Sequence, residues 1–367
     1  MAKRHPLQNI LSPLLLPLSG VYGAGGRLRR SLARQGRLRV WRPPALCVSV
    51  GNISWGGTGK TPIVDWLLAW ADARALRAAV LTRGYGAHPP GPAFPAGPGA
   101  SPAECGDEPL MLALRHPRAS VIVDPDRSRG GRSLAACPPD LYLLDDGFQH
   151  LGTARDLDLV LLDADDVRLS PRPGGEPSNW GRILPAGTWR EPETALEQAG
   201  AYLVKTEPKE WPTLVSALKQ RLHTFPRPVF AFRLEPEGLR SLTGEGPLPA
   251  SSLCGPYVFA SGIGAPGQAL RTVTDFLGRA PQTVFSFPDH HDFRTSLKTL
   301  SRPGLPIVCT GKDAVKLFRL DLPVPCFSLD VKAVFFASLS AEELQGRDAP
   351  DVPDFPLWWE NWWQQQH

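Results

Sequence analysis

The sequence predicts an α/β fold built on a mostly parallel sheet, and three observations carry that expectation. From Ala45 onward, short apolar strands alternate with stretches of helical spacing, the pattern of strands joined by crossover helices. One strand runs straight into a glycine-rich turn and a helix start, Val48-Ser-Val-Gly-Asn-Ile-Ser-Trp-Gly-Gly-Thr-Gly-Lys-Thr-Pro62. Polar motifs then recur at the ends of the apolar runs, where open α/β sheets bind their ligands.

Composition sets the outer bounds. A chain of 367 residues that is 42% apolar is long enough for two compact units and too apolar to be disordered. The net charge of +4 conceals an asymmetry: residues 1–64 hold ten Lys and Arg and no acid, and the first acid is Asp65. Such a leader suits an anionic surface, either nucleic acid or phospholipid. Six scattered cysteines without C-x-x-C spacing read as reduced, mostly buried thiols, with neither a disulfide framework nor a zinc site. No stretch has the apolar length of a membrane span. The basic start before the apolar run at Ile10–Val21 imitates an export signal, but the following arginines would hinder export, so the run is expected to stay in the mature protein.

In chain order, Leu7, Ile10, Leu11, Leu14, Leu15, Leu18 and Tyr22 share one helical face, and Arg27 to Arg42 follow as a cationic belt. An N-terminal amphipathic helix in a membrane interface fits this pattern, as does a helix packed on its own domain; Pro13 and Pro17 speak against one long straight helix. Ala45–Val50 is the first strand, and Ile63, Trp66, Leu67, Trp70 and Ala71 mark the inner face of the next helix. Ala78–Leu81 is a strand leading into Thr82-Arg-Gly-Tyr-Gly86, and the Pro/Gly/Ala-rich residues 87–103 read as a mobile lid or a disordered insertion. Gly106-Asp-Glu-Pro109 opens a helix with Asp107 in the N-cap place. Ser120–Val123, Leu141–Leu144, Leu157–Leu162 and Tyr202–Lys205 are further strands. After Pro226-Arg-Pro228 a second, smaller α/β unit follows, with strands at Tyr257–Ala260 and Pro306–Thr310. The boundaries expected are a membrane-associating segment over 1–44, a core domain over 45–227, a smaller domain over 228–345 and a Trp-rich tail over 346–367. That tail suits either a membrane interface or packing onto the body.

Ser54-Trp-Gly-Gly-Thr-Gly-Lys-Thr61 has the length of a P-loop, with Ser54 in place of the first glycine. Gly56, Gly57, Thr58 and Gly59 form the turn that offers backbone N–H groups to phosphates. Lys60 would reach the β- and γ-phosphates, and the Thr61 hydroxyl would ligate Mg²⁺. An apolar strand ending in Asp145-Asp146 downstream supplies the carboxylates that complete such a metal shell. The fold expected is therefore P-loop NTPase-like. Phosphoryl transfer also needs a placed acceptor and cations, for which Asp107, Glu108, Arg127, Arg190 and His290 are candidates. His290 and His291 also have an ordinary reading as loop histidines.

Gly51-Asn-Ile-Ser-Trp-Gly-Gly-Thr-Gly-Lys-Thr-Pro62, Arg83-Gly-Tyr-Gly86, Gly106-Asp-Glu-Pro109, Asp145-Asp-Gly-Phe-Gln-His150, Leu184-Pro-Ala-Gly187 with Arg190-Glu-Pro192, Gly262-Ile-Gly264, Asp289-His290 and Lys312-Asp-Ala-Val-Lys316 occur in one order across residues 45–316. In this the chain resembles the tetraacyldisaccharide 4'-kinase (lipid A 4'-kinase) family, whose phosphate loop also lacks the first glycine. Thr82, Gly311 and Ala265 depart from the family pattern. The resemblance implies a peripheral enzyme on the cytoplasmic face of the bacterial inner membrane that uses ATP and Mg²⁺ to phosphorylate the 4'-hydroxyl of a tetraacylated glucosamine disaccharide 1-phosphate lipid. It implies an Asp107–His290 dyad, with Lys60 among the catalytic groups and Thr61, Asp145 and Asp146 at the metal. Glu108 and Gln149 take supporting nucleotide contacts, and Tyr85, Arg127 and Arg190 contact the substrate. An anionic membrane surface is then the partner of the basic leader, with no nucleic acid and no obligate protein partner. The rival is a P-loop nucleotide switch resembling metallochaperone GTPases, but Thr310-Gly-Lys-Asp313 has its Lys and Asp out of register for a guanine-reading N/T-K-x-D.

Overall fold

The computed structural model describes residues 6–170, 178–241, 246–348 and 352–366, with side chains from residue 14 onward. The strands are β1 (Leu46–Asn52), β2 (Ala78–Thr82), β3 (Phe94–Ala96), β4 (Ser120–Val123), β5 (Leu141–Asp145), β6 (Leu157–Leu162), β7 (Ala201–Lys205), β8 (Val229–Ser241), β9 (Val258–Ser261), β10 (Thr283–Ser286), β11 (Ile307–Thr310) and β12 (Cys326–Leu339). The helices are α1 (Pro6–Arg34), α2 (Lys60–Ala73), α3 (Pro102–Cys105), α4 (Asp107–Arg115), α5 (Arg127–Arg132), α6 (Ala164–Val167), α7 (Trp211–Leu222), α8 (Pro266–Leu277), α9 (Leu297–Ser301), α10 (Gly311–Leu317), α11 (Ala341–Leu344) and α12 (Phe355–Gln365).

All twelve strands join one sheet in the order β10-β9-β11-β12-β8-β7-β6-β1-β5-β2-β4-β3. Every pairing is parallel except β8–β12 and β3–β4. The central strands read as unbroken apolar runs because helices cover both faces. On one face Leu67 and Trp70 of α2, Leu112 of α4 and Trp359 of α12 cover the sheet; on the other, Leu214 and Leu218 of α7 pack with Trp189. Beyond β8 the sheet narrows. Beyond Phe232, β8 leaves β7 and continues against β12, so within the sheet the two halves are joined by a two-stranded antiparallel ribbon with a register shift at Asp330/Val331.

Several expectations change. Residues 87–103 are not a lid or a disordered insertion: β3 pairs antiparallel with β4 at the edge of the sheet, and Ala93 N donates to Asp124 Oδ2 at 2.8 Å. Pro95 is tolerated there because an edge strand has one side without ladder bonds. The Trp-rich tail packs onto the body as α12, burying Phe355 against Trp66, and Trp359 and Trp363 against Trp70.

α1 is one continuous helix through positions 13 and 17, contrary to the proline argument. Tertiary contacts hold it. Ser19 Oγ donates to Ile183 O at 2.9 Å and accepts from Ala186 N, and Arg30 Nε pairs with Glu191 at 2.8 Å. Gly23 and Gly26 share that inner face, where a Cβ on Gly23 would meet Ile183 Cδ1 at 2.9 Å. Opposite it, Leu14, Leu18, Val21 and Leu28 are exposed, within roughly 80° of arc at the helical period. Leu7, Ile10 and Leu11 have side chains outside the described residues. The cationic belt is divided, since Arg30 and Arg34 form ion pairs with Glu191 and Glu197 while Arg27, Arg29, Arg37 and Arg39 face solvent.

Candidate active site

The glycine-rich turn joins the end of β1 to α2, in the middle of the sheet. Gly56 and Gly59 have φ of 122° and 97°, which side chains with a Cβ rarely adopt. Asn52 Nδ2 ties the turn together by donating to Gly56 O and to Thr58 Oγ1, both at 3.1 Å. Thr58 thus spends its hydroxyl inside the loop, and its N–H also donates to Gly56 O. Ser54 is buried where a first glycine would stand, because this part of the loop is bound to a neighbouring segment. It bridges to Trp189, Trp55 N donates to Thr188 O at 2.7 Å, and Arg190 N donates to Ile53 O at 2.8 Å.

Lys60 begins α2 and points back across the turn, 3.3 Å from Asn52 Oδ1 and 3.4 Å from Asp146 Oδ1. Thr61 Oγ1 donates to Glu108 Oε2 at 2.6 Å. Asp145 ends β5 and Asp146 follows it. Asp145 is buried, accepts from Thr82 Oγ1 at 3.0 Å, and burial, aided by the charges of Glu108 and Asp146, pushes its pKa up to about 6. For Asp146, burial acts in the same direction, but the cations Lys60, Arg190 and Arg127 outweigh it and hold its pKa below the ordinary carboxylate value. Arg190 Nη1 donates to Asp146 Oδ2 at 2.8 Å and to Gln149 Oε1 at 3.2 Å, and Gln149 Nε2 reaches Asn52 O. Arg127 is buried beneath this pair and faces the backbone carbonyls of Asp145 and Asp146 at 3.5 and 3.4 Å. Asp146 has φ 49°, a left-handed conformation that aspartate accepts more readily than most residues.

Asp107 does not cap its helix: Gly106 holds that place, with φ 90° and ψ 154°, and no side chain caps the turn. The carboxylate turns instead to the other half of the molecule. Its Oδ2 accepts from Lys316 Nζ at 2.9 Å and lies 3.0 Å from His290 Nδ1. A carboxylate only accepts, so Nδ1 carries the imidazole proton of this contact. His290 has φ 63°, stands 3.5 Å from Lys312 Nζ through Nε2, and has its ring centroid 5.9 Å from that of the exposed Tyr85. His291 is structural, stacked on Phe287 at 4.3 Å with Nε2 on Ser296 Oγ at 2.9 Å.

Two lysines that the sequence placed in a motif without giving them a role extend the network. Lys312 pairs with Asp289 at 2.9 Å and Glu108 at 3.4 Å, and although burial works against its charge, Glu108, Asp289 and Asp107 raise its pKa above the ordinary value. Lys312 and Lys316 are four residues apart on α10, and that spacing places them on one helix face; this was the available signal. Asn52 had only its position at a strand end. Asp313 is no base reader: it is fully buried, accepting from Gly262 N at 3.1 Å and Thr310 Oγ1 at 2.7 Å.

Beside this network a cavity of about 730 Å³ lies between the two halves, bordered by Gly56, Gly57, Thr61, Lys205, Gln268 and Lys312. All the oxygen donors near the turn, Thr61, Glu108, Asp145 and Asp146, suit a hard cation. Among the described residues no three His, Cys, Asp or Glu form a metal cage. Mg²⁺ is held by one or two protein carboxylates, with phosphate and water oxygens completing its shell.

The LpxK family profile, tetraacyldisaccharide-1-P 4'-kinase, matches residues 11–346. The tetraacyldisaccharide 4'-kinase of Nitratidesulfovibrio vulgaris is 46% identical over 97% of this chain and 96% of its own. That of Oleidesulfovibrio alaskensis is 44% identical over 98% and 97%. Among solved structures, the Aquifex aeolicus LpxK in complex with ATP superposes with a TM-score of 0.71 at 30% identity, covering 89% of this chain and 95% of that one. With a phosphate loop, paired strand-end carboxylates and a cross-cleft Asp–His contact in one network, the chain belongs to the tetraacyldisaccharide-1-P 4'-kinase family.

Proposed function

We propose that the chain transfers the γ-phosphate of ATP to the 4'-hydroxyl of a tetraacylated glucosamine disaccharide 1-phosphate. The observation that carries this reading is the Asp107–His290 contact of 3.0 Å beside a P-loop lysine and threonine. Asp107 accepts the hydroxyl proton, and His290 orients the carboxylate and the acceptor. Lys60 and the backbone of Gly56, Gly57, Thr58 and Gly59 hold phosphate oxygens, with Glu108 and Gln149 fixing Thr61, Asn52 and Arg190 around them. Thr61, Asp145 and Asp146 are the residues suited to hold Mg²⁺, which when bound neutralises phosphate charge. Arg190 and Tyr85 border the acceptor side, whereas Arg127, expected there from the sequence, lies buried behind Asp145 and Asp146.

The domain division follows the same logic. A core over 45–227 and a smaller unit over 228–345 hinge at the β8–β12 ribbon, and the closed arrangement, with His290 already against Asp107, excludes water. No helix among the described residues is long and apolar enough to cross a membrane. The exposed row Leu14, Leu18, Val21 and Leu28, with Arg27 and Arg29 alongside, supports peripheral attachment of α1 to the anionic cytoplasmic face of the inner membrane.

The test is product formation from purified protein, the disaccharide lipid in detergent, Mg²⁺ and either ATP or GTP. A 4'-phosphorylated lipid formed with ATP in preference to GTP is the expected result. Nucleotide hydrolysis that responds to a protein partner and yields no phospholipid product would establish the nucleotide-switch alternative instead.

A further inference from the structure

α2 and α4 carry Lys60, Thr61, Asp107 and Glu108 on their first turns and lie on the same face of the sheet. They are bonded at both ends. At the site, Thr61 Oγ1 donates to Glu108 Oε2 at 2.6 Å. At the far end His116, directly after α4, reaches across to α2: its Nδ1 stands 2.7 Å from Asp72 Oδ2 and its Nε2 3.1 Å from Asp65 Oδ1. Asp65 and Asp72 are two turns apart on one face of α2, so a single ring spans both. A carboxylate only accepts, so each ring nitrogen carries a proton and His116 is held as an imidazolium. It closes the C-terminal end of α4, where a positive charge also meets the helix dipole.

The surroundings are built for that charge. The ring is buried, and the charged groups around it are Asp65 and Asp72 on α2 and Arg115 before it on α4, which itself pairs with Asp65 at 3.3 Å and with Glu237 of β8 at 3.2 Å. Although burial works against the proton, the two aspartates raise the pKa of the ring above its ordinary value. α4 needs an anchor on the core side because its first turn is also held from the other half, where Lys316 meets Asp107 at 2.9 Å. A helix of nine residues is about 13 Å long, so a tilt at its last turn is passed on to its first. We infer that His116 is a positioning residue for the phosphoryl transfer: protonated on both nitrogens, it braces α4 against α2 through Asp65 and Asp72 and so keeps Asp107 and Glu108 in register with Lys60 and Thr61. A neutral ring has one donor for two carboxylates, so the brace loosens as pH rises through the pKa of the folded state. This rests on reading the cleft as a kinase site.

The experiment compares full-length wild type with His116→Gln and with Asp72→Asn, the second being a partly exposed, shape-conserving change that carries the test if the buried histidine is needed for folding. In turnover at about pH 7, His116→Gln is expected to lower kcat at least about tenfold with KM for ATP within about threefold. Asp72→Asn keeps an acceptor but removes a negative charge, so the alkaline limb of the wild-type kcat profile moves down by about one pH unit; His116→Gln lacks that limb. Unchanged kcat with only a lower melting temperature, a rise in KM for ATP that matches the fall in kcat, or a limb that stays in place in Asp72→Asn would each overturn the brace. Histidine-ring NMR on the ligand-free protein needs no turnover: His116 is expected to titrate above the ordinary histidine value in wild type and lower in Asp72→Asn, with the His290 ring signals shifting in step. Wild type that shows this coupling and phosphorylates no lipid would refute the kinase reading and leave the brace standing. Wild type that phosphorylates the lipid without the coupling would refute the brace alone.

Discussion

Asp107 and Asp145 are both buried acids, and their surroundings give them different work. Asp107 has Lys316 and His290 on one oxygen, so Asp107→Asn keeps the shape and removes the proton acceptor. It is expected to lower kcat by about 10²–10⁴-fold, with ATP affinity changed less than about threefold; comparable losses in both would move Asp107 to the nucleotide. Among the described residues the Asp145 carboxylate accepts from Thr82, and burial raises its pKa from 3.8 to about 6. The folded state then keeps a proton that the unfolded chain has released, so stability falls as pH rises from about 4 to 6. Above that window the ligand-free fold loses about 3 kcal/mol to this group. Asp145→Asn should recover that amount in urea unfolding at pH 7.5 and nothing at pH 3.5, while losing activity. The sequence put Asp145 at a strand end but showed nothing of Thr82 beside it. It misread Asp107 as a cap because the partners that turn its carboxylate away, His290 and Lys316, are 183 and 209 residues distant.

Elements were legible where one periodicity decided them. The central strands are buried on both faces, and their unbroken apolar runs announced that. The ambiguous elements were amphipathic ones, because a leucine row or a tryptophan cluster looks the same facing lipid or a protein core. α12 resolves toward the core: Trp359 is fully buried and packs edge-on to Trp70 at 5.3 Å. Trp359→Ala is therefore expected to cost about 3–5 kcal/mol in denaturant unfolding, with no direct effect on vesicle binding. α1 resolves both ways, with Ser19, Gly23, Gly26 and Arg30 against the protein and the leucine row outward. Leu18→Glu combined with Val21→Glu should weaken flotation with anionic vesicles at least about tenfold, with unfolding midpoints unchanged. Equal binding by wild type and variant would remove the membrane from the account of this helix. β3 stayed hidden because its Pro-rich sequence has little strand propensity and depends on the edge offered by β4.

At the scale of the molecule, the sequence predicted two α/β units and said nothing of the way they would join. β8 and β12 continue one sheet across both, and only a two-stranded ribbon spans the gap. Such ribbons twist more easily than wide sheets, which suits a cleft whose groups come from opposite sides. Lys60, Thr61 and Asp107 stand on the core side, and His290, Lys312, Lys316 and Gln268 on the other. The ordered motifs could name many of these residues, whereas the contacts between them depend on the ribbon. The most direct measurement is a single turnover with γ-labelled ATP, Mg²⁺ and the tetraacyl disaccharide, following label on the lipid for wild type and Asp107→Asn at equal ATP occupancy. Label appearing at the 4' position with wild type, and delayed at least about a hundredfold by the substitution, is the predicted result. Label released only as inorganic phosphate, or transferred equally fast by both proteins, would contradict it.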